Sequence, residues 1–596
     1  MKEFLKMFFA SMLAIVCVGF GGFIAIIVFA GALSSLSAPE PVIKKSSMLE
    51  FDMNANIQDA PVSLTQEQLI NEAFGRGRPQ TYSLRQLLHA LDEAADDTRI
   101  SGLYLKGSLQ PRNYGSGFAA IKEVREAIES FKEVSGKPVI AYLVYPTDKD
   151  MYLASVADKI IMNPEGMILG AGMTSEPIFF AGFFEKYGIG VQVTKAGEFK
   201  SAVESFVLKR MSAPAREQTK VLLGDIWDEY VEAVSSRADM SPAEFQVLVD
   251  RKGLLNGRDA LDARLIDELG FADTVIKVLK EATGEESEKL EYKSTSLVNY
   301  IRAKSELTKG EHVAVVYAEG PIVVGEGGQG QVGGSGLARE IRSLRENEDV
   351  KAIVLRVNSP GGSALASEVI QHEIRLAKEK IPVVVSMGTV AASGGYWISA
   401  YADRIFAEPN TITGSIGVIG MFMNVKEMAN RHGLTFDVVK TGKFADTLSI
   451  ARPKTPEEMA IVQREVDDVY ADFLRKVSEG REQPIAKIKG IAEGRVWSGE
   501  DALEVGLVDE IGGLRKAIAY AAKEADLGER ASVRDYPEPT DFIQELMKNL
   551  TTTASFGKTS TPLRKFDEAV EEIKGISQWN DPKGVYAVLP YRIYAD

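Results

Sequence analysis

Two side chains in separate parts of the chain have the chemistry of a nucleophile and its base. Ser393 follows a predicted buried strand at 383–385 and stands between Ala392 and Gly394, at the start of a predicted helix. A serine there is either a nucleophile or a helix N-cap, and the stretch 381–399 supports both interpretations equally. Lys200 lies in the apolar sequence GEFKSAV. It is either a solvated surface charge or a base whose pKa is lowered from about 10.4 toward neutrality by burial.

An internal duplication relates the two regions. Residues 151–165 (MYLASVADKIIMNPE) and 396–410 (YWISAYADRIFAEPN) align at an offset of 245, which places Asp158 opposite Asp403. The same offset places Phe199 opposite Phe444, and segments 257–270 and 499–512 align at 242. Each copy alternates strand and helix patterns. This order predicts two tandem α/β units, each with a mainly parallel sheet.

The positions at which the two copies differ are the informative ones. Ser393 stands opposite Asp148, and Lys200 stands opposite Ala445. Each unit therefore has one group that the other lacks, and a site between the units would combine them. A serine with a lysine base is one of the recognised alternatives to the Ser-His-Asp triad.

Two turns in the second copy add further candidates. Gly361 and Gly362, in RVNSPGGSA, follow a predicted strand and precede a predicted helix at 364–378. Their backbone amides are either oxyanion donors or part of an ordinary strand-to-helix turn. Ser415, in TGSIG, stands opposite Gly170. It either hydrogen-bonds a neutral lysine amine or is a turn residue.

The patterns also divide the chain. Strands are predicted at 48–57, 102–105 and 138–144 and helices at 83–95 and 118–131. The second copy repeats the first strand at 312–322, the first helix at 336–346 and the second strand at 352–357. We therefore expect an N-terminal anchor at 1–40, a first unit at 41–283 and a charged linker at 284–311. A second unit at 312–528 and a C-terminal extension at 529–596 follow. The glycine-rich stretch 325–336 lacks the Lys-Ser/Thr ending of a phosphate-binding loop and is interpreted as a surface loop.

Composition limits the possible partners. The 596 residues are 45% hydrophobic and carry a net charge of -15, which predicts at least two globular cores and no nucleic-acid partner. Cys17 is the single cysteine, so an intrachain disulfide is excluded. The four histidines show no metal-ligand spacing, and we expect neither a metal nor a cofactor. A histidine-based hydrolase site using His432 is an alternative to the lysine base.

The N-terminal segment has the composition of a membrane anchor. Residues 7–33 are uncharged, and a helix of this length is about 40 Å long, against a hydrocarbon core of about 30 Å. A cleaved signal peptide is the alternative, but its apolar region is normally shorter. Lys2 and Lys6 precede the span and Glu40 follows it, so the positive-inside rule predicts that everything after residue 40 lies outside the cytoplasm.

The motifs RVNSPGGS, AASGGYW, TGSIG and GEFKSAVE together resemble the signal peptide peptidase A family, in its long membrane-anchored bacterial form. The resemblance extends from the anchor to about residue 525. It implies a Clp-protease/crotonase-like fold, a homotetrameric dome at the bacterial inner membrane, and a peptidase that degrades signal peptides left after secretory cleavage.

The same resemblance assigns roles to residues of this chain. It implies that Ser393 is the nucleophile, that Lys200 is the general base and that Ser415 contacts and orients the lysine. It also implies oxyanion donors in the Pro-Gly-Gly turn and directly after the nucleophile, at Gly361, Gly362 and Gly394.

Two other functions fit parts of the pattern. A crotonase-like acyl-CoA hydratase or thioesterase would share the oxyanion turn, but would need an adenine pocket and an acidic residue over the thioester. A non-catalytic membrane scaffold could retain the fold without the activity. Labelling of Ser393 by a serine-reactive probe would argue against the scaffold.

Overall fold

A computed structural model of the chain describes residues 41–61, 80–287, 289–304, 310–528, 531–537 and 585–589. The predicted anchor at 7–33 lies outside these residues. Among the residues that are described, no helix combines the length and the apolar character needed to cross a membrane.

The first unit is a mixed α/β unit. In chain order it contains β1 (Ser47–Asp52), β2 (Ala55–Gln58), β3 (Gln80–Ser83), α1 (Leu84–Asp96), β4 (Ile100–Lys106), α2 (Phe118–Ser135), β5 (Val139–Leu143), α3 (Asp148–Ala154), β6 (Lys159–Met162), β7 (Met167–Ile168), α4 (Ala181–Tyr187), β8 (Gly190–Ala196), α5 (Glu204–Val207), α6 (Ala213–Arg237), α7 (Pro242–Lys252), β9 (Leu255–Asn256), α8 (Gly257–Asp262), β10 (Glu268–Leu269), α9 (Ala272–Thr283), β11 (Ser294–Ser296) and α10 (Leu297–Lys304).

The second unit repeats this order. It contains β12 (His312–Glu319), β13 (Ile322–Val323), β14 (Val332–Gly333), α11 (Gly334–Glu346), β15 (Val350–Ser359), β16 (Gly361–Ser363), α12 (Ala364–Lys378), β17 (Val383–Ala392), α13 (Gly394–Ser399), β18 (Arg404–Ala407), β19 (Ile412–Gly414), β20 (Val418–Asn424), α14 (Lys426–Arg431), α15 (Pro456–Gly480), α16 (Ile485–Ile491), β21 (Val496–Trp497), α17 (Gly499–Val505), β22 (Glu510–Ile511), α18 (Leu514–Glu524), β23 (Ser532–Tyr536) and β24 (Val585–Val588).

The sheets confirm the duplication. The sheet of the first unit has the strand order β10-β6-β5-β4-β1-β11, and all of these pairs are parallel. In the second unit the equivalent order is β22-β18-β17-β15-β12-β23, again with parallel pairs. The central strands β4, β12, β15 and β17 are buried on both faces, which explains their continuous apolar runs. The predicted α/β class and the two tandem units are both present.

A third sheet joins the units. Its strand order is β14-β13-β16-β24-β20-β8, so the first unit contributes β8 and the second unit contributes the other strands. β8 pairs antiparallel with β20 along its whole length, from Val418 opposite Ala196 to Asn424 opposite Gly190. The turn that follows β8 is thereby carried into the second unit.

Buried charges also connect the two units. The Arg356 guanidinium is fully buried and donates to Asp59 at 2.7 Å and to Glu123 at 2.5 Å, both in the first unit. Asn358 donates to the other oxygen of Asp59, and the Leu514 amide donates to the other oxygen of Glu123. Removing Arg356 would leave two buried carboxylates without their counter-charge, so the network fixes how the units pack.

Several element boundaries differ from the sequence-based expectations. The strand predicted at 48–57 is two strands, because the Asp52 side chain accepts from the Asn54 amide and turns the chain. The predicted linker 284–311 contains β11 and α10; β11 pairs with β1, and Leu297 and Tyr300 are fully buried in the first core. The C-terminal extension likewise begins with β23, which pairs with β12 in the second unit.

The repeat also breaks at one place. Residues 438–445 align with the β8 region, yet they form irregular, exposed chain. β8 has β20 as its partner, and among the described residues the segment 438–445 has no strand partner.

Candidate active site

Ser393 ends a strand at a strained backbone position. The small residues before it belong to β17, which runs on to Ala392, and only Ser393 makes the turn into α13. Its φ of 59° and ψ of -113° are rare for a residue with a side chain. Although Ser393 stands at the N-cap position, its side chain makes no capping hydrogen bond. The N-cap interpretation is therefore wrong.

Lys200 reaches the serine from the other unit. Its Nζ lies 2.7 Å from Ser393 Oγ, 2.9 Å from the Ser415 carbonyl oxygen and 3.0 Å from Ser415 Oγ. Lys200, Ser393 and Ser415 are all fully buried. The surface-charge interpretation of Lys200 is therefore wrong, and a single chain buries the amine without a neighbouring copy.

A tight backbone contact positions the lysine. The turn after β8 packs on the second unit, where the Phe199 amide donates to the Glu493 carbonyl. Gly494 has a φ of 77°, and a Cβ added to it would lie 2.6 Å from the Cβ of Lys200. Gln218 is also buried: it donates to the Phe199 carbonyl and accepts from the Val496 amide, so one side chain holds both units.

The electrostatics of the lysine follow from this burial. Desolvation lowers the pKa of Lys200 well below its usual value, since a charged ammonium is disfavoured away from water. Among the described residues, no carboxylate forms an ion pair with it to oppose this effect. A neutral amine can accept a proton from a neighbouring hydroxyl, which is the chemistry of a general base.

Ser415 is oriented by its own backbone. It has a φ of 51°, and its amide donates to the Arg495 carbonyl at 2.6 Å. This conformation turns both its carbonyl oxygen and its hydroxyl toward the lysine. Ser415 therefore contacts the amine with two oxygens, where the sequence suggested only the hydroxyl.

The glycines of the predicted oxyanion turn lie next to the serine. Gly361 has a φ of 93°, and a Cβ added to it would lie 2.6 Å from the Gly394 amide nitrogen. A Cβ added to Gly394 would lie 3.1 Å from the Gly362 nitrogen. The amides of Gly362 and Gly394 are thus close neighbours. The Gly361 amide, in contrast, already donates to Ser359 Oγ at 3.2 Å.

The other predicted residues lie elsewhere. His432 is exposed, and its Nδ1 contacts the Met428 carbonyl, whereas Ser393 contacts Lys200. Ala445 lies in the exposed segment 438–445. No group of three or more potential metal ligands occurs in the part of the chain that the structure describes.

Sequence reasoning missed two contributors to this region. Gln218 lies in the long helix α6, where nothing in its spacing distinguishes it from a surface glutamine. The strand β24 also borders the glycine turn, since it pairs with β16. It lies in the C-terminal extension, for which the sequence indicated no role.

A serine hydroxyl beside a buried amine whose pKa is lowered by desolvation, next to a turn of backbone amides, has the groups that acyl transfer needs. Comparisons with known proteins agree. The model of peptidase family S49 matches this chain twice, at residues 132–285 and 375–528. Protease 4 of Haemophilus influenzae is 32% identical over 596 residues, covering 95% of each chain. The chloroplastic serine protease SPPA of Arabidopsis thaliana is 32% identical, covering 85% of this chain and 74% of that protein.

The chain therefore belongs to peptidase family S49, with two tandem units of that family, and it is a serine protease. This assignment favours the protease over the acyl-CoA enzyme and the non-catalytic scaffold. A solved structure of a ClpP1 mutant from Listeria monocytogenes is 18% identical and covers 35% of this chain and 94% of its own, with a TM-score of 0.24. A score this low carries no argument about the fold, so the Clp-like architecture stays a prediction.

Proposed function

We propose that this protein is a membrane-anchored endopeptidase with a Ser393/Lys200 dyad, which cleaves extended apolar peptides such as signal-peptide remnants outside the cytoplasm. The observation that carries the proposal is the 2.7 Å contact between Lys200 Nζ and Ser393 Oγ, made by an amine that is completely buried between two units.

The contacts of the amine suit its neutral form. A neutral amine has two N–H donors and one lone pair. The two oxygens of Ser415 can accept both N–H groups, which leaves the lone pair for the Ser393 O–H. Lys200 then takes the hydroxyl proton as Ser393 attacks the peptide carbonyl, and the ammonium returns this proton to the departing amine. Water hydrolyses the acyl-enzyme with the same lysine as base.

The negative charge of the tetrahedral intermediate needs fixed donors. The neighbouring amides of Gly362 and Gly394 are our candidates, because both belong to backbone held tightly by its surroundings. Gly361 contributes differently from the sequence-based expectation. Its amide is occupied by Ser359, and its missing side chain is what allows the turn to approach Gly394.

The membrane location rests on the sequence. The uncharged residues 7–33 and the flanking charges support a single anchor with the peptidase units outside the cytoplasm, at the bacterial inner membrane. The family resemblance supports signal peptides as substrates, which are themselves apolar and released at the membrane.

The family resemblance supports a homotetramer, and the repeat indicates which segments of neighbouring chains would pair. Within one chain, β8 of the first unit pairs with β20 of the second. The offset of 245 gives each strand a counterpart: 435–441 for β8 and 173–179 for β20. Both counterparts are irregular, and 435–441 is exposed, with Val439 98% accessible. We infer that 435–441 of one chain pairs with 173–179 of the next, a head-to-tail contact that closes into a ring.

Substitution of either reacting residue tests the dyad. Ser393→Ala and Lys200→Ala should each abolish cleavage of a synthetic signal peptide by the full-length protein in detergent, with circular dichroism unchanged. Lys195→Ala is the matched control, because Lys195 is an exposed lysine on β8 in the same segment. Near wild-type turnover in either active-site variant would disprove the assignment.

A disulfide tests the ring. In the β8–β20 register, Thr194 lies opposite Gly420. At the offset of 245, Val439 is the counterpart of Thr194 and Ser175 is the counterpart of Gly420. We therefore expect Val439 of one chain to lie opposite Ser175 of the next. With Cys17→Ser as background, the variant Ser175→Cys/Val439→Cys should form an oxidised ladder ending at four chains, whereas either cysteine alone should not. A purely monomeric pattern would contradict the proposed contact.

A further inference from the structure

A cleft with an excess of positive charge lies on the first unit. It has a volume of 790 Å³ and is lined by the extended segment 172–179 and by one face of helix α6. Four basic side chains line it as well: Lys209, Arg210, Arg216 and Lys220. None of the described residues that line this basic cleft is acidic, although the whole chain carries a net charge of -15. The basic cleft is therefore suited to an anion.

Three of the four basic residues have no carboxylate partner among the described residues. Lys209 is paired, with its Nζ 2.7 Å from a carboxylate oxygen of Glu185, whereas Arg210, Arg216 and Lys220 are exposed and form no such pair. Arg216 and Lys220 are four residues apart on α6, and like charges at this spacing destabilise a helix. An anion bound between them would remove this repulsion.

The rest of the basic cleft is largely apolar. Along the segment 172–179, the odd-numbered residues are half-buried and the even-numbered residues are exposed, so Met173 and Phe179 turn toward the cleft. On the helix side it is lined by Trp227, whose Nε1 donates to Gln246 at 2.7 Å. A ligand with an apolar body and an anionic group fits both parts of this lining.

The basic cleft adjoins the turn that carries the proposed base. Thr219 lines the cleft, and its neighbour Gln218 donates to the Phe199 carbonyl and to Ser201 Oγ, each at 3.1 Å. Lys200 lies between these two acceptors in the chain. Because successive residues of a helix are only about 1.5 Å apart along its axis, the cleft and the catalytic turn share one short part of α6.

The direction of the neighbouring strands shows which end of a bound peptide approaches the cleft. β8 ends at Ala196, which lies opposite Val418 at the start of β20. β24, which borders the glycine turn, is antiparallel to β20. A peptide that runs in the direction of β24 therefore points its carboxyl end past Val418, toward the turn with Lys200 and the start of α6. That end carries a negative charge when it is free.

We propose that the basic cleft binds the free C-terminal carboxylate of a peptide substrate through Arg210, Arg216 and Lys220. The inference rests on the proposed function and adds a substrate class, which is an apolar peptide with a free carboxyl terminus. Guanidinium and ammonium groups donate charge-assisted hydrogen bonds to a carboxylate. An uncleaved precursor continues as a neutral backbone at this point. The enzyme therefore acts after another endopeptidase has released the peptide.

Two synthetic signal peptides of identical sequence test the proposal, one ending in a free carboxylate and the other in a carboxamide. Full-length protein in detergent should cleave the free acid with a KM about tenfold lower, because only the carboxylate forms charge-assisted bonds in the basic cleft. The difference should shrink as the salt concentration rises, since the cations are exposed. Equal KM values for the two peptides at low salt would overturn the proposal.

A double variant tests the residues. Arg216→Gln/Lys220→Gln should raise KM for the free acid until the ratio of the two KM values is close to one. Arg251→Gln is the matched control, because Arg251 is an exposed arginine on α7 outside the basic cleft, and it should keep the ratio of the wild type. Fluorescence anisotropy with labelled peptides and the Ser393→Ala background should give the same ratios for binding alone. An unchanged ratio in the double variant would overturn the assignment of these residues.

The outcomes separate this inference from the proposed function. If the wild type cleaves both peptides equally well, the carboxylate site is wrong while the peptidase assignment stands. If it cleaves neither peptide, the peptidase assignment fails, and equal binding of the two peptides to Ser393→Ala would overturn the carboxylate site separately. A double variant that keeps the carboxylate preference but no longer forms tetramers, or no longer binds vesicles of anionic lipid, would assign the cleft to a neighbouring chain or to lipid and overturn the proposal.

Discussion

The two units have the same sheet but differ in the chain that comes after the equivalent strands. After β17, Ser393 turns into α13, and the amides of the glycine turn lie beside it. After β5 the chain instead enters α3, whose buried Asp150 accepts from the Leu109 amide at 2.8 Å and from Ser108 Oγ. Aligning β4 with β15 through 100–105 and 352–357 places Leu109 opposite Gly361. In the first unit an internal carboxylate thus fills the turn whose counterpart, in the second unit, lies beside the proposed oxyanion donors.

This difference shows how a duplicated protein can divide one site between its copies. The first unit has Asp148 opposite the serine and a filled turn, yet it supplies the proposed base, because β8 crosses into the third sheet. The second unit keeps the serine and the turn, and its counterpart of β8 is exposed chain without a lysine at the aligned position, Ala445. Each unit is incomplete alone, so the site depends on their packing.

Lys200→Met should have the largest effect, because it removes the proposed base and keeps a similar volume. We expect kcat/KM to fall by about four orders of magnitude. The melting temperature should rise, since the folded-state pKa of Lys200 lies below its unfolded value and the folded protein takes up fewer protons there. The buried amine therefore destabilises the folded wild-type protein at neutral pH, and this destabilisation decreases as pH rises toward the unfolded pKa of the lysine. Loss of both activity and stability would indicate a structural lysine.

Gly361→Ala should have the second largest effect on activity. It tests whether catalysis needs the open space at the glycine turn, which the first unit lacks. The added Cβ would lie 2.2 Å from the Ala587 oxygen and 2.6 Å from the Gly394 nitrogen, at a φ of 93°. Displacing an oxyanion donor costs about 10²- to 10³-fold in kcat. Gly224→Ala is the control, since a Cβ at this helical position meets nothing within 4 Å. Equal turnover of the two variants would contradict the proposed turn.

Ser415→Gly copies the first unit at a third position, since Gly170 is its counterpart. The change removes one of the two oxygens that orient the amine and leaves the carbonyl, so kcat should fall about 10- to 100-fold with KM unchanged. Because the hydroxyl can also accept from an ammonium, its loss should lower the pKa of Lys200 and move the acid limb of the pH–rate profile to lower pH. An unshifted limb with an altered KM would indicate a structural role only.

The sequence predicted the groups of the site better than it predicted their surroundings. Ser393, Lys200 and Ser415 could be found because the two copies differ there, and the helix at 364–378 agrees with α12 because its apolar spacing is regular. Gln218, the Arg356 network and β24 depend on contacts between residues far apart in the chain, which local spacing does not encode. The sequence did not predict β11 and α10 for the same reason, because these short segments are stabilised only by packing against β1.

Asp148, the counterpart of Ser393, should matter for stability and not for catalysis. It is buried, its Oδ1 has no hydrogen-bond partner among the described residues, and desolvation raises its pKa to about 7. The folded protein therefore holds a proton that the unfolded chain releases near pH 4, so stability falls as pH rises from about 4 to about 7. Asp148→Asn should remove this loss, about 2 to 4 kcal/mol at pH 8, and leave kcat/KM unchanged. Melting temperatures at pH 5 and pH 8 measure the effect. A variant that melts like wild type at both pH values would show that burial of the Asp148 carboxylate does not destabilise the protein. A fall in peptidase activity would show that position 148 contributes to the reaction.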